Sequence, residues 1–397
     1  MTAGSPESGG TGEHEPAGER GHGGERGRAG EHERERVGEH EPAGAAMARA
    51  TRLMVEATRG PAVESIHRGA AAVCDPDGRV VARVGNARLA AFLRSATKPF
   101  QAMALFETGA IDRFGIPPEE LAIVIASHDG EPFHVDLVRS LQARTGVAQG
   151  WLRCGAHAPY SAATRAAMAA RGEEPSVLHN NCSGKHTGML AAALAIGAPV
   201  ESYVDPDHPV QRTNRNRLAR LSGMAAGEIG VAIDGCSAPT FRMPLDRFAT
   251  ALARLAAAGA AGEDAARWGL PDETRGLRAA WSAMVDHPEV IAGTSGRVDT
   301  DLMRAAREAG IPLIVKAGAE GVYAMALRAP EGPLGIAIKM EDGLERGRNC
   351  ASIEILSQLG ALPPAMAARL RDWHRPLLRN RAGLEVGEVR PAFRLER

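Results

Sequence analysis

No stretch of this sequence approaches the roughly 18 uninterrupted apolar residues that a membrane-spanning helix needs. Its first residues also lack the charged, apolar and small-residue order of a secretory signal. A cytoplasmic protein is expected. Net charge is missing too: 47 basic and 48 acidic residues leave −1, so no whole-chain field draws nucleic acid or an anionic membrane, and a small neutral partner fits better. Cysteine is scarce and odd in number. Cys74, Cys154, Cys182, Cys236 and Cys350 are the five thiols of a 397-residue chain, which is long enough to bury a core without disulfide staples. They read as reduced thiols, some of them candidate metal ligands.

Large aliphatic residues are missing from the first 46 positions, where Val37 is the only one after Met1. Gly, Glu, Arg, His, Pro and Ala fill the rest, a composition that cannot bury enough surface to offset chain entropy. A disordered low-complexity tail is therefore expected over 1–50. Gly12-Glu-His-Glu-Pro-Ala-Gly18 recurs as Gly38-Glu-His-Glu-Pro-Ala-Gly44, a duplication that reads as a spacer or as sequence upstream of a true start at Met47 or Met54.

The texture then changes. Residues 53–58 and 69–85 read as strands, the second stretch folding back at Asp75-Pro-Asp-Gly78 into an antiparallel hairpin. Helical patterns follow at 100–108, 119–125, 133–145, 162–170, 187–195, 210–221, 244–258 and 273–284. Strands return at 313–318, 321–327 and 335–340 before a helix at 350–359. Strands at both ends of a helical middle predict an α/β (α+β) fold, with one antiparallel sheet assembled from both chain ends and flanked by helices. No linker interrupts 51–385, the expected catalytic domain, and 386–397 is set apart as a C-terminal tail.

Ser95-Ala-Thr-Lys98 puts a hydroxyl and an amine about one helical turn apart, so a lysine kept neutral by its surroundings can take the serine proton. A serine at a helix start is also an ordinary cap. Pro99 biases Lys98 away from helical geometry, which places the motif at the beginning of the 100–108 helix, where a helix N-terminus favours a developing oxyanion. Ser127-His-Asp129 follows an apolar run, and Lys316-Ala-Gly318 ends another. Ser-x-x-Lys, a short serine loop and Lys-x-Gly in that order make up the layout of serine β-lactamases and penicillin-binding proteins. Ser-His-Asp replaces Ser-Asp-Asn here, and Ala317 stands where a hydroxyl is usual. An amide hydrolase on the same engine is expected rather than a β-lactam enzyme.

A second polar constellation joins His179-Asn-Asn-Cys-Ser-Gly-Lys-His186 to Asp234-Gly-Cys236. Cysteine and histidine four apart, with a distant cysteine, can surround Zn²⁺. The same spacing equally suits buried small thiols with His186 as a helix cap.

Taken together, Arg94-Ser-Ala-Thr-Lys-Pro-Phe-Gln101, Ala126-Ser-His-Asp-Gly-Glu-Pro-Phe-His134, Cys154-Gly-Ala-His-Ala-Pro-Tyr160, the His179–Met189 block, Asp207-His-Pro-Val-Gln211, Asp234-Gly-Cys-Ser-Ala-Pro-Thr-Phe241 and Lys316-Ala-Gly-Ala-Glu-Gly321 resemble the Rhizobium etli type of L-asparaginase. They run in order across most of 53–360. The resemblance implies a β-lactamase- and glutaminase-like fold, a homodimer, L-asparagine as substrate, and two catalytic pairs, Ser95 with Lys98 and Ser127 with Lys316. It also implies a zinc ion bound by Cys182, Lys185 and Cys236 with a water, with Asp234 and His186 close by. A lysine ligand must be neutral to offer a lone pair. Arg94, Asp129, His186 and Asp234 are the expected substrate-binding residues, Arg94 through the substrate carboxylate.

The expected reaction is attack of Ser95 or Ser127 on the side-chain amide carbon, departure of ammonia with a proton from a lysine, and hydrolysis of the acyl-enzyme. Ser95 is preferred because local geometry fixes its lysine. The metal is expected to orient the substrate, so that chelation raises KM more than it lowers kcat. The competing readings are a glutaminase or β-lactam-type amidohydrolase on the same engine, and a non-catalytic zinc-binding homologue.

Overall fold

The computed structural model describes residues 43–259 and 271–397, so the expected tail lies outside the described residues up to position 42. Its last part departs from expectation. Ala43–Ala50 form helix α1, because five alanines in eight residues carry high helix propensity. Arg68 Nη2 donates to Ala48 O at 3.0 Å and Asn86 N to Ala50 O at 2.8 Å, which fastens the end of the helix to the sheet.

Eleven strands are described: β1 (Arg52–Arg59), β2 (Ala62–Cys74), β3 (Val80–Val84), β4 (Ala90–Phe92), β5 (Gly230–Ile233), β6 (Pro239–Pro244), β7 (Leu313–Ala317), β8 (Val322–Ala329), β9 (Gly332–Met340), β10 (Leu377–Arg379) and β11 (Glu385–Pro391). The main sheet runs β10-β11-β1-β2-β9-β8-β7, with β3 also paired to β2, and every pairing is antiparallel. The N-terminal strands thus lie between strands from the C-terminal part, as the two-ended pattern predicted. The β2–β3 turn forms where expected: Asp75 Oδ1 accepts Asp77 N and Arg79 N, and Gly78 takes φ 91°.

The boundary drawn at 385 needs correction, because it falls at the start of β11. That strand pairs Val55 with Pro391 and Ala57 with Val389. Phe393 and Leu395 beyond it pack against the core. Glu385-Val-Gly-Glu-Val-Arg-Pro391 carries three charges and few large apolar residues, so its strand character comes from pairing with β1.

Helices are α2 (Lys98–Gln101), α3 (Ala104–Glu107), α4 (Ala110–Arg113), α5 (Pro118–Ile125), α6 (Pro132–Thr145), α7 (Ala162–Arg171), α8 (Ser183–Ala195), α9 (Pro209–Ser222), α10 (Leu245–Ala258), α11 (Pro271–Asp286), α12 (Pro288–Ile291), α13 (Val298–Glu308), α14 (Glu345–Gln358), α15 (Pro364–Arg369) and α16 (Arg371–His374). Val322–Leu327 of β8 are all buried; successive strand residues face opposite sides, so both faces of the sheet are covered there. α10 packs across β2, β8 and β9, and a Cβ on Gly335 would sit 1.9 Å from Ala249 O. The expected 100–108 helix is split into α2 and α3, with i+3 bonds such as Leu105 N to Ala102 O at the break. The short sheet β4-β6-β5 within the helical middle was not predicted. No helix among the described residues is long and apolar enough to cross a membrane.

Candidate active site

A cleft of about 850 Å³ is lined by both candidate serines, with Asp129, Asn181, Arg297 and Ala317 also on its walls. Its centre is the loop Ser127–Gly130 between α5 and α6. Backbone bonds from Ser127 N to Ile291 O at 2.9 Å and from Asp129 N to Ala292 O at 2.8 Å dock this loop on the end of α12. His128 Nδ1 accepts Gly130 N, which leaves Nε2–H to donate to Ser183 Oγ at 2.9 Å. His134 Nδ1 accepts Glu131 N, and its Nε2–H donates to Glu289 O. The two rings stack at 5.1 Å. Burial holds His128 well below its ordinary pKa and His134 down to about 4, so both are neutral braces of the loop at pH 7.

Two buried amines meet on one hydroxyl. Lys98 Nζ donates to Ala126 O at 2.6 Å, Ser127 Oγ at 2.9 Å and Asn181 O at 3.3 Å. Lys316 Nζ lies 2.9 Å from the same Ser127 Oγ and 3.1 Å from Ala317 O. Lys98 thus has three acceptors for the three hydrogens of an ammonium, whereas Lys316 suits a neutral amine that accepts the Ser127 proton and donates to Ala317 O. Burial lowers the pKa of both amines, and Lys316 falls to about 7 although the nearby Asp299 carboxylate opposes the shift. Asp299, fully buried at the start of α13, accepts Ala317 N at 3.0 Å and so fixes the strand residue beside Lys316.

The pairing expected for Ser95 differs from the one observed. Lys98 turns to Ser127, and among the described residues no hydrogen bond engages the Ser95 hydroxyl. Lys98 is also helical, with φ −56° and ψ −36°, despite preceding Pro99. The local preference before proline is overridden because three buried acceptors tie down the amine. Ser95 lines the cleft within the 3₁₀ turn Arg94–Thr97, directly after Arg94 with its positive φ of 51°.

The other expected residues divide between two places. Asp129 lines the cleft and pairs with Arg297; burial nevertheless raises its carboxyl above its ordinary value. Arg94 Nε and Nη2 bind Asp234 Oδ1 at 2.8 and 2.7 Å, and Arg94 lines a neighbouring cavity instead of the cleft. His186 is fully buried; Nδ1 meets Tyr203 OH at 2.6 Å, while Nε2 has no partner among the described residues. Sequence reasoning missed Arg297 and Asp299, which sit in Gly-Arg-Val-Asp-Thr with no recognisable motif, and the carbonyl role of Asn181 within a block it had singled out.

Cys182, Lys185 and Cys236 do come together. Lys185 Nζ donates to Cys236 Sγ at 3.0 Å. A hydrogen bond from Cys236, reinforced by Lys98 and Lys185, holds Cys182 well below the ordinary thiol pKa, while Cys236 is raised. Burial opposes a charge on Lys185, but the Cys182 thiolate and the Cys236 sulfur beside it outweigh that and raise the amine above its ordinary value. Among the described residues no group of three His, Cys, Asp or Glu side chains gathers as a metal site; this set has two sulfurs and an amine. Those donors, with the unpartnered His186 nitrogen close by in sequence, fit a thiophilic cation such as zinc once Cys236 and Lys185 give up their protons.

Comparison with curated proteins returns no match. The profile of the L-asparaginase II family matches residues 55–391, from β1 to the end of β11, and so takes in the cleft and the strand first set apart as tail. On that match across most of its length, the chain belongs to the L-asparaginase II family.

Proposed function

We propose that the chain hydrolyses the side-chain amide of L-asparagine to L-aspartate and ammonia at the Ser95, Lys98, Ser127 and Lys316 centre. The family supports an amidohydrolase acting on an amide such as asparagine. The observation that carries the mechanism is Ser127 Oγ, held at 2.9 Å from each of two buried lysine amines. A hydroxyl so placed passes a proton from one side to the other. Lys316, neutral near pH 7, takes it, and the Lys98 ammonium stabilises the oxygen left behind.

Ser95 is then the attacking hydroxyl, with Ser127 as its relay. This follows the Ser-x-x-Lys layout and the position of Ser95 on the cleft, where among the described residues no hydrogen bond holds its hydroxyl. The second reading makes Ser127 the nucleophile, favoured by its direct bonds to both amines. Zinc would be held by Cys182, Lys185 and Cys236, and when bound it would supply a fixed positive charge that organises the floor of the site. Around it, Arg94 positions Asp234, and Asn181 orients Lys98.

Mass spectrometry of protein quenched during turnover, run on the wild type, Ser95→Ala and Ser127→Ala with asparagine and glutamine supplied side by side, tests both assignments. The expected result is an acyl adduct on Ser95, lost in Ser95→Ala, with turnover slowed about 100-fold or more in either variant. An adduct on Ser127 that persists in Ser95→Ala selects the second reading. Ammonia from glutamine but not asparagine overturns the substrate assignment.

A further inference from the structure

The cleft carries two guanidinium groups, and they are not equivalent. Arg348 is buried and committed: Nε and Nη2 bind Asn349 Oδ1 at 3.1 and 3.0 Å, Nη1 reaches Gly318 O at 3.3 Å, and the group lies over the Tyr323 ring at 5.3 Å. Arg297 is partly exposed at the cleft wall, with 23% of its side chain accessible. Nη1 meets Asp129 and Nη2 donates to Ser127 O at 3.3 Å. Of the five N–H donors of a guanidinium, these bonds engage two among the described residues.

We propose that Arg297 is the specificity-determining residue for a free α-amino acid, receiving the substrate α-carboxylate on its remaining donors while Asp129 receives the α-ammonium. This rests on the amidase reading above and names the substrate class of the same site. A planar fork of donors matches a carboxylate two oxygens at a time. The bond to Ser127 O ties Arg297 to the loop that carries the proton-relaying hydroxyl, so a carboxylate seated there is held in fixed register with the reacting amide. Asp129 has unmet demand for positive charge, since burial raises its carboxyl even beside Arg297. An arriving ammonium answers it. A zwitterion therefore adds one charge of each sign to the existing ion pair and leaves no buried charge alone.

The test compares asparagine with β-alaninamide, which is asparagine without its carboxylate, on wild type, Arg297→Gln, Arg297→Lys and the doubly neutral Arg297→Gln/Asp129→Asn. For Arg297→Gln the expected kcat/KM for asparagine falls about 10- to 100-fold, mostly through KM. β-Alaninamide, already a poor substrate, changes less than about threefold, and Arg297→Lys recovers part of the loss. Equal loss on both substrates overturns the proposal, because it marks a residue that acts only by holding the Ser127 loop. Unchanged asparagine kinetics overturns it as well. Should Arg297→Gln fail to fold, the double variant removes the stranded Asp129 charge; both substrates then lose the partner of their ammonium, and the proposal requires asparagine to fall about tenfold or more beyond β-alaninamide, an equal fall overturning it. Failure of the amidase reading looks different: the wild type itself then releases ammonia from neither compound.

Discussion

Lys316 and Asp299 show how a single buried charge acts on a neighbouring amine. In the proposed mechanism Lys316 must be neutral to accept the Ser127 proton, and burial brings it to about 7. Asp299 works in the opposite direction, since a carboxylate beside an amine favours the ammonium. Removing that charge while keeping the shape lets burial act with less opposition. In Asp299→Asn the Lys316 pKa drops, and the acid limb of kcat/KM, expected near pH 7 in the wild type, moves to lower pH. The amide oxygen of the new side chain still accepts Ala317 N, so the strand keeps its place and loss of activity at the plateau stays modest. A pH–rate profile of the two proteins checks this; a limb that stays put or moves upward removes Lys316 as the titrating base.

At the level of elements, α8 carries Lys185 and His186, and its placement depends on two glycines that let it lie against α5. A Cβ on Gly184 would stand 2.2 Å from Ile123 O, and one on Gly188 2.6 Å from Val124 Cγ1. Backbone cannot yield as a side chain can. Gly184→Ala is therefore expected to cost about 1–3 kcal/mol or more and to lower Tm by several degrees. Gly227→Ala, where nothing lies within 4 Å, leaves Tm nearly unchanged in the same calorimetric comparison. Legibility in the sequence followed the same physics. A helix with one buried stripe, such as α6, could be read directly. The start of α8 could not: all of Ser183–Ala193 is buried, so no polar face marks its beginning four residues before the pattern at 187. The four Ser/Lys positions were found from motif spacing. Of the two expected pairs, Ser127 with Lys316 is present at 2.9 Å; Ser95 with Lys98 is not, because Lys98 is directed by the carbonyls of Ala126 and Asn181, contacts between segments 28 and 83 residues away. Arg297 and Asp299 become visible only when α13 is brought against β7.

At the level of the whole molecule, the sheet joins the two ends of the chain, and that joining makes the last strand indispensable. β1 has β2 on one side and β11 on the other. Val389 is fully buried, and Gly387 passes so near β1 that a Cβ would stand 1.9 Å from Thr58 O. Removing residues 385–397 strips one edge of β1 of its partner, leaves β10 without its own, and uncovers apolar surface that Phe393 and Leu395 had packed. An unpaired central strand offers free N–H and C=O groups to any other chain. Truncation after Leu384 should therefore yield aggregated protein without asparagine hydrolysis, although it lies far along the chain from every serine and lysine of the cleft. Size-exclusion chromatography and circular dichroism of the truncated chain test this. A synthetic peptide of residues 377–397 added during refolding should restore soluble protein, since the missing contribution is a strand rather than a catalytic group. A soluble, active truncated enzyme would show that β11 is dispensable and that the sheet closes without it.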